Sequence, residues 1–142
     1  MAGSKRSGAV SVSRKVAWGI AAVAAAGLLA WWLSSGTRVA KVDVEVPELS
    51  PVAQAGQEAF QAHCAECHGP AAGGTDKGPP LVHQWYRPNH HADAAFVLAA
   101  KRGVPQHHWN FGNMPPQPQV GERSIEQITQ YVRELQQANG IH

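Results

Sequence analysis

Residues 64 to 68 read Cys64-Ala65-Glu66-Cys67-His68 and hold both cysteines of the 142-residue chain. C-x-x-C-H is the pattern of covalent c-type haem attachment. The run constrains folding strongly, because a chain tied to a porphyrin at two points must build its core around a flat apolar plate. With residues 51 to 67 helical, Cys64 and Cys67 lie three apart on one face, suited to two vinyl groups of one porphyrin. His68 then follows one step around, aimed at the iron.

Other readings of the pair are weaker. A thioredoxin-type C-x-x-C needs alternating strands and helices, and the chain has almost no strand signal. A structural zinc site needs two further ligands at short spacing, and no second cysteine pair exists. His63 offers only a crowded alternative ligand. A disulfide between the two cysteines fits the spacing less well, apart from a transient one before haem attachment.

A haem electron carrier ordinarily takes methionine or a second histidine as its other axial ligand. The methionines are Met1 and Met114, and Met114 is the one placed to reach the iron. It sits in Phe111-Gly112-Asn113-Met114-Pro115-Pro116, a run that sets an irregular, rigid loop. His107 and His108 are the rival sixth ligands.

Four segments are expected. Residues 1–15 are polar and basic, a cytoplasmic N-terminus. Residues 16–33 form eighteen uncharged, mostly apolar positions, which as a helix span about 27 Å, near the thickness of a bilayer core. Trp18, Trp31 and Trp32 stand at its ends as interfacial anchors, and the basic flank keeps the N-terminus inside. An uncleaved anchor is favoured over a signal peptide, because the apolar run is long and tryptophans stand where small residues are expected. Residues 34–49 have no helical period and are expected as a flexible linker, reaching about 50 Å when stretched. Residues 50–142 form the folded domain.

Within that domain, Ser50 and Pro51 mark a helix start, and the helix runs to Gly69-Pro70. A second helix begins at Asp93 and ends at Gly103. A third opens with Ser124 and Gln127 in capping-box spacing, its apolar face made by Ile125, Ile128, Val132 and Leu135 with Tyr131 beside them. The 95 residues from 48 onward suffice for a small core, which a porphyrin would complete. The formal charge of +2 divides unevenly: residues 1–47 carry +4 and residues 48–142 carry −2. A folded part with a negative balance does not suit nucleic acid.

With C-x-x-C-H, one downstream methionine beside proline and a terminal amphipathic helix, the chain resembles the class I cytochromes c, specifically bacterial ones held by an N-terminal helix. The resemblance covers about residues 50 to 140. It implies an all-α, small class I cytochrome c fold wrapped around one covalent haem c, with an N-terminal transmembrane helix. It implies further that Gly56 and Phe60 of the first helix meet Tyr131 of the last. The Pro79 carbonyl would accept from Nδ1 of His68 and so orient the ring, Leu81 would pack on the porphyrin, and Trp109 would donate to a haem propionate. Trp85, Tyr86, Arg87 and Asn110 are weaker candidates for that last role.

The resemblance points to a membrane-anchored carrier of single electrons, not an enzyme and without a small-molecule substrate. Its iron would lie between His68 and Met114. Its partners would be a quinol-oxidising complex and a terminal oxidase, and its place the bacterial inner membrane with the haem domain in the periplasm. The departure is histidine: His83, His90, His91, His107 and His108 fall close together. The two adjacent pairs could hold a second metal such as copper or zinc. Two alternatives therefore stand: a haem peroxidase assisted by His107 or His108, and a copper-binding or copper-sensing haem protein using His90, His91, His107 and His108.

Overall fold

The structure is a computed structural model that describes residues 13–34 and 41–142, without the side chains of residue 14 and residues 32–34. The chain divides into two units, residues 1–38 and 39–142. In the first, helix α1 spans Arg14–Ser34. Among the described residues no helix is long and apolar enough to cross a membrane. The described side chains of α1 stop at residue 31, so Trp32 and Leu33, which complete the uncharged run of eighteen, lie outside them. Residues 1–12 and 35–40 also lie outside.

The second unit holds α2 (Pro51–His63), α3 (Ala65–His68), a 3-10 turn at Gln84–Tyr86, α4 (Asp93–Arg102) and α5 (Glu122–Ala138). Among its described residues there is no sheet, only one isolated antiparallel bridge between Val104 and Met114. This is the all-α architecture expected.

Helix α2 starts as its sequence requires. Ser50 is the N-cap, its Oγ accepts from Ala53 N at 3.2 Å, and Pro51 takes the first helical position, where its missing N–H is not needed. The same serine donates from N and Oγ to the Glu134 carboxylate of α5, at 2.9 and 2.6 Å. One residue thus starts α2 and ties it to the C-terminal helix.

The two helices cross at Gly56. A Cβ there would stand 1.9 Å from the Gln127 carbonyl oxygen and 2.4 Å from its carbon, so only glycine permits this approach. One turn on, the Phe60 and Tyr131 rings meet at 5.4 Å between centroids with a 58° tilt, an arrangement aromatic quadrupoles favour. Both rings and Leu135 are fully buried, each contributing roughly 1.5–3 kcal/mol from burial. Ile125, Ile128 and Val132 complete the face of α5.

Two expectations need correction. Helix α5 begins at Glu122 with Gly121 as N-cap and no side-chain cap bond, so Ser124 is inside the helix and no capping box forms. The segment 41–49, expected as part of a free linker, is extended but docked. Val42 N donates to Gly73 O at 2.8 Å. Glu45 and Asn139 exchange two bonds, at 3.0 and 2.8 Å, and Val44 and Leu49 pack on the core. A lone strand is unstable without a partner; here a loop and a helix end supply the partners.

Candidate functional site

The C-x-x-C-H run is not one continuous helix. Helix α2 ends at His63, and Cys64, with φ −123° and ψ −30°, separates it from the single turn of α3. The Cys64 carbonyl accepts from both Cys67 N and His68 N, at 3.2 and 2.9 Å, which keeps the cysteines one turn apart despite the break. A following loop seals this turn. Thr75 Oγ1 donates to Cys67 O at 2.5 Å, and Gly74 N donates to His68 O at 2.7 Å. Cys64 is half-buried and Cys67 exposed. Burial, and then the neighbouring Cys67, push the Cys64 thiol up to about 11.

His68 is buried, and its Nδ1 lies 2.8 Å from the Pro79 carbonyl oxygen. A carbonyl only accepts, so Nδ1 carries the proton and the Nε2 lone pair is left free for a metal. Burial lowers the ring's pKa while the Pro79 bond opposes that shift, so the neutral ligand form is favoured. The bond expected from the resemblance is present.

His68, Cys64, Pro79, Leu81, Trp109 and Met114 line one cavity of about 400 Å³, together with Phe60, Phe96, Val104, Ile125 and Ile128. Backbone geometry holds Met114 in that wall. Val104 and Met114 exchange two backbone bonds, each 2.9 Å. Gly103, at φ +71°, adopts a conformation that side chains resist, and a Cβ there would stand 2.5 Å from Met114 O. Asn113 Oδ1 accepts from Gln106 N at 2.9 Å, closing the loop between them. The prolines signalled an irregular loop, but the pairing with Val104 is what fixes it.

These residues fit a haem c. The cavity is overwhelmingly apolar, the Cys64 thiol and an imidazole with a free lone pair border it, with Cys67 one turn on from Cys64, and a thioether lines the same space. The buried Trp109 Nε1 has no hydrogen-bond partner, an orphan donor that a propionate carboxylate would satisfy. Burial raises the Tyr86 phenol.

A model of the family described as Cytochrome c matches residues 53–136. The chain belongs to the cytochrome c family. No curated protein and no solved structure matches it. The family match, with the all-α unit, makes this a class I cytochrome c, a haem-binding electron carrier. Cytochromes of this family carry haem c and its iron, and Cys64 and Cys67 fit the attachment motif.

The cytochrome places its other candidate residues unevenly. Tyr86 lines the cavity, whereas Trp85, Arg87 and Asn110 do not. Arg87 instead donates to the Gln84 carbonyl at 2.9 Å, and Asn110 accepts from Gln106 at 3.3 Å. Trp85 packs edge-on against Trp109 at 4.4 Å. Among the histidines, His91, His107 and His108 line the cavity, and His83 lies edge-on to Trp109 at 5.0 Å. Burial first, then neighbouring imidazoles, hold His108 below the ordinary histidine range.

Sequence reasoning missed Arg133 and Gln136. Both are buried on α5, and they brace the loop that carries the cavity wall. Arg133 bonds Asp93 Oδ1 at 2.7 Å, Tyr86 O at 2.8 Å and the His91 carbonyl, and its guanidinium lies 4.9 Å from the Phe96 ring centre. Gln136 donates to Leu81 O at 2.8 Å and Tyr86 O at 3.0 Å. The available signal was spacing: Gln136 falls four residues after Val132, on the apolar face.

Proposed function

We propose that this cytochrome carries single electrons with its iron held between His68 and Met114, tethered to a membrane by α1. When bound, haem c supplies a one-electron ferric–ferrous couple. The observation that carries the reading is the double backbone bond between Val104 and Met114, which holds one thioether in the wall of the cavity that His68 enters. His68 contributes a neutral ring oriented by Pro79, and Met114 contributes a soft donor that favours the ferrous form and raises the potential. The apolar walls from Phe60, Leu81, Phe96 and Ile128 keep water from the site. With two donors for the iron supplied by the chain, the site would suit electron transfer rather than substrate chemistry.

The anchor reading rests on α1. Val16, Trp18, Ile20, Val23, Leu28 and Leu29 are all more than half exposed and fall on every side of the helix, which is the pattern of a segment surrounded by lipid. With the basic N-terminal flank, this orients the haem domain to the periplasmic side of a bacterial inner membrane. The electron partners in this reading are a quinol-oxidising complex and a terminal oxidase, met through brief contacts of small area.

The test is an optical spectrum of the oxidised, haem-loaded protein and of Met114→Ala. The native protein should show the absorption band of methionine-to-iron ligation and little peroxide turnover. The variant should lose the band and shift in potential. An unchanged spectrum and potential in Met114→Ala would overturn the axial assignment. Rapid peroxide turnover by the native protein would favour an enzyme.

A further inference from the structure

Apart from His68 and Met114, the densest group of metal-competent side chains among the described residues lies on the loops at 83–91 and 105–109. We propose that His90, His91 and His108 form a second metal site, for a single borderline divalent cation of the copper(II) or zinc(II) class. One ligand atom from each of the three lies within 4.8 Å of the others. Their ring centres are 4.8, 5.2 and 5.4 Å apart.

A cation held at about 2.0–2.1 Å from each nitrogen brings the nitrogens to roughly 3.4 Å from one another. Closing that gap takes small side-chain rotations, and exposed His90 is free to make the largest.

The two less exposed rings are set up for ligation. His91 Nδ1 lies 2.6 Å from the Trp85 carbonyl oxygen, so it bears the proton and leaves Nε2 as the donor atom, the arrangement common to metal-bound histidines. His108 Nε2 is buried without a hydrogen-bond partner. A buried orphan nitrogen needs an explanation, and a cation between the three rings provides one.

The backbone carrying the pair is also fixed. His90 N and His91 N both donate to Arg87 O, at 3.0 and 2.9 Å, and the His91 carbonyl is held by the buried Arg133. The charge of Arg133 is offset by Asp93 at 2.7 Å. His107 lies 4.3 Å from His108 between ring centres, tilted by 52°, but it does not belong to the group whose ligand atoms come within 4.8 Å of one another.

Three imidazoles without a carboxylate exclude a hard cation such as calcium or magnesium. Imidazole donors suit copper and zinc, and copper(II) binds such sites more tightly.

The experiment uses the full-length, haem-loaded protein, in which both thiols are consumed by the haem. Zinc chloride, and separately copper sulfate, is titrated calorimetrically, and iron and the second metal are then measured after gel filtration. One second metal per iron is expected, with the Soret and axial-ligand bands unmoved. His90→Gln and His108→Gln should each weaken binding at least tenfold, while His107→Gln should change it less than threefold.

If His108→Gln fails to mature, His90→Gln alone decides, since that side chain is exposed. No second metal in the native protein would overturn the proposal and leave His108 to a haem propionate. One bound metal that survives both substitutions would equally overturn it.

Discussion

Replacing Gly56 by alanine tests the account of how α2 and α5 meet. The new Cβ would stand 1.9 Å from Gln127 O and 3.0 Å from Ile128 N, and both obstacles are backbone in the middle of a helix, unable to swing aside. An ordinary carbon–oxygen contact of about 3.4 Å requires the helices to part by roughly 1.5 Å. Gaps of 0.5–1 Å already forfeit about a quarter to a half of dispersion attraction, so the contacts of Phe60, Tyr131 and Ile128 across the crossing are largely lost.

Halving burial worth roughly 1.5–3 kcal/mol for each of those three side chains costs about 2–4.5 kcal/mol. The clash that remains adds about 1 kcal/mol, and the helix preference of alanine over glycine returns about 1 kcal/mol. The net loss is about 3 kcal/mol. Urea unfolding of the haem-loaded protein, with an m-value of about 1.5 kcal/mol/M, should show the midpoint falling by about 2 M. A midpoint shift under about 0.5 M would refute the close crossing.

Three further outcomes are expected. Ser124→Ala should change the thermal midpoint by no more than a degree or two, whereas a true N-cap would lose about 1 kcal/mol; Gly121→Ser should raise the midpoint, because it supplies the cap that α5 lacks. Arg133→Lys should cost about 2–4 kcal/mol in chemical denaturation, since a lysine cannot span Asp93, Tyr86 O and His91 O together and leaves carbonyls unpaired. In the haem-free chain, iodoacetamide at pH 8 should label exposed Cys67 well before Cys64, whose thiolate is scarce because its pKa stands near 11; raising the pH toward 11 should narrow the difference, and mass spectrometry of the labelled peptides reads both.

What was legible in the sequence was local or motif-borne. Ser50-Pro51 announces α2, Asp93 and Gly103 bound α4, and the periodic apolar residues of α5 are the buried ones. The His68–Pro79 bond and the Gly56–Phe60–Tyr131 crossing followed from the resemblance, and the geometry bears both out. What was misread depends on distant residues. Cys64 leaves helical geometry where the loop at 74–78 packs over the cysteine turn, and the extended run at 41–49 finds partners some 30 to 94 residues away. Arg133 was invisible for the same reason: its partners Tyr86, His91 and Asp93 lie 40 to 47 residues away in the chain.

The docked run at 41–49 changes the mechanics of any attachment through α1. Sixteen free residues after the helix would give a leash of about 50 Å, whereas the six positions from 35 to 40 have a covalent limit of roughly 20 Å. The volume a tethered body can sweep scales with the cube of that length, so it falls by more than tenfold, and the local concentration of the redox unit near its point of attachment rises in proportion. Under the proposed attachment, a reach limited in this way would favour a partner seated immediately alongside over one reached by long excursions.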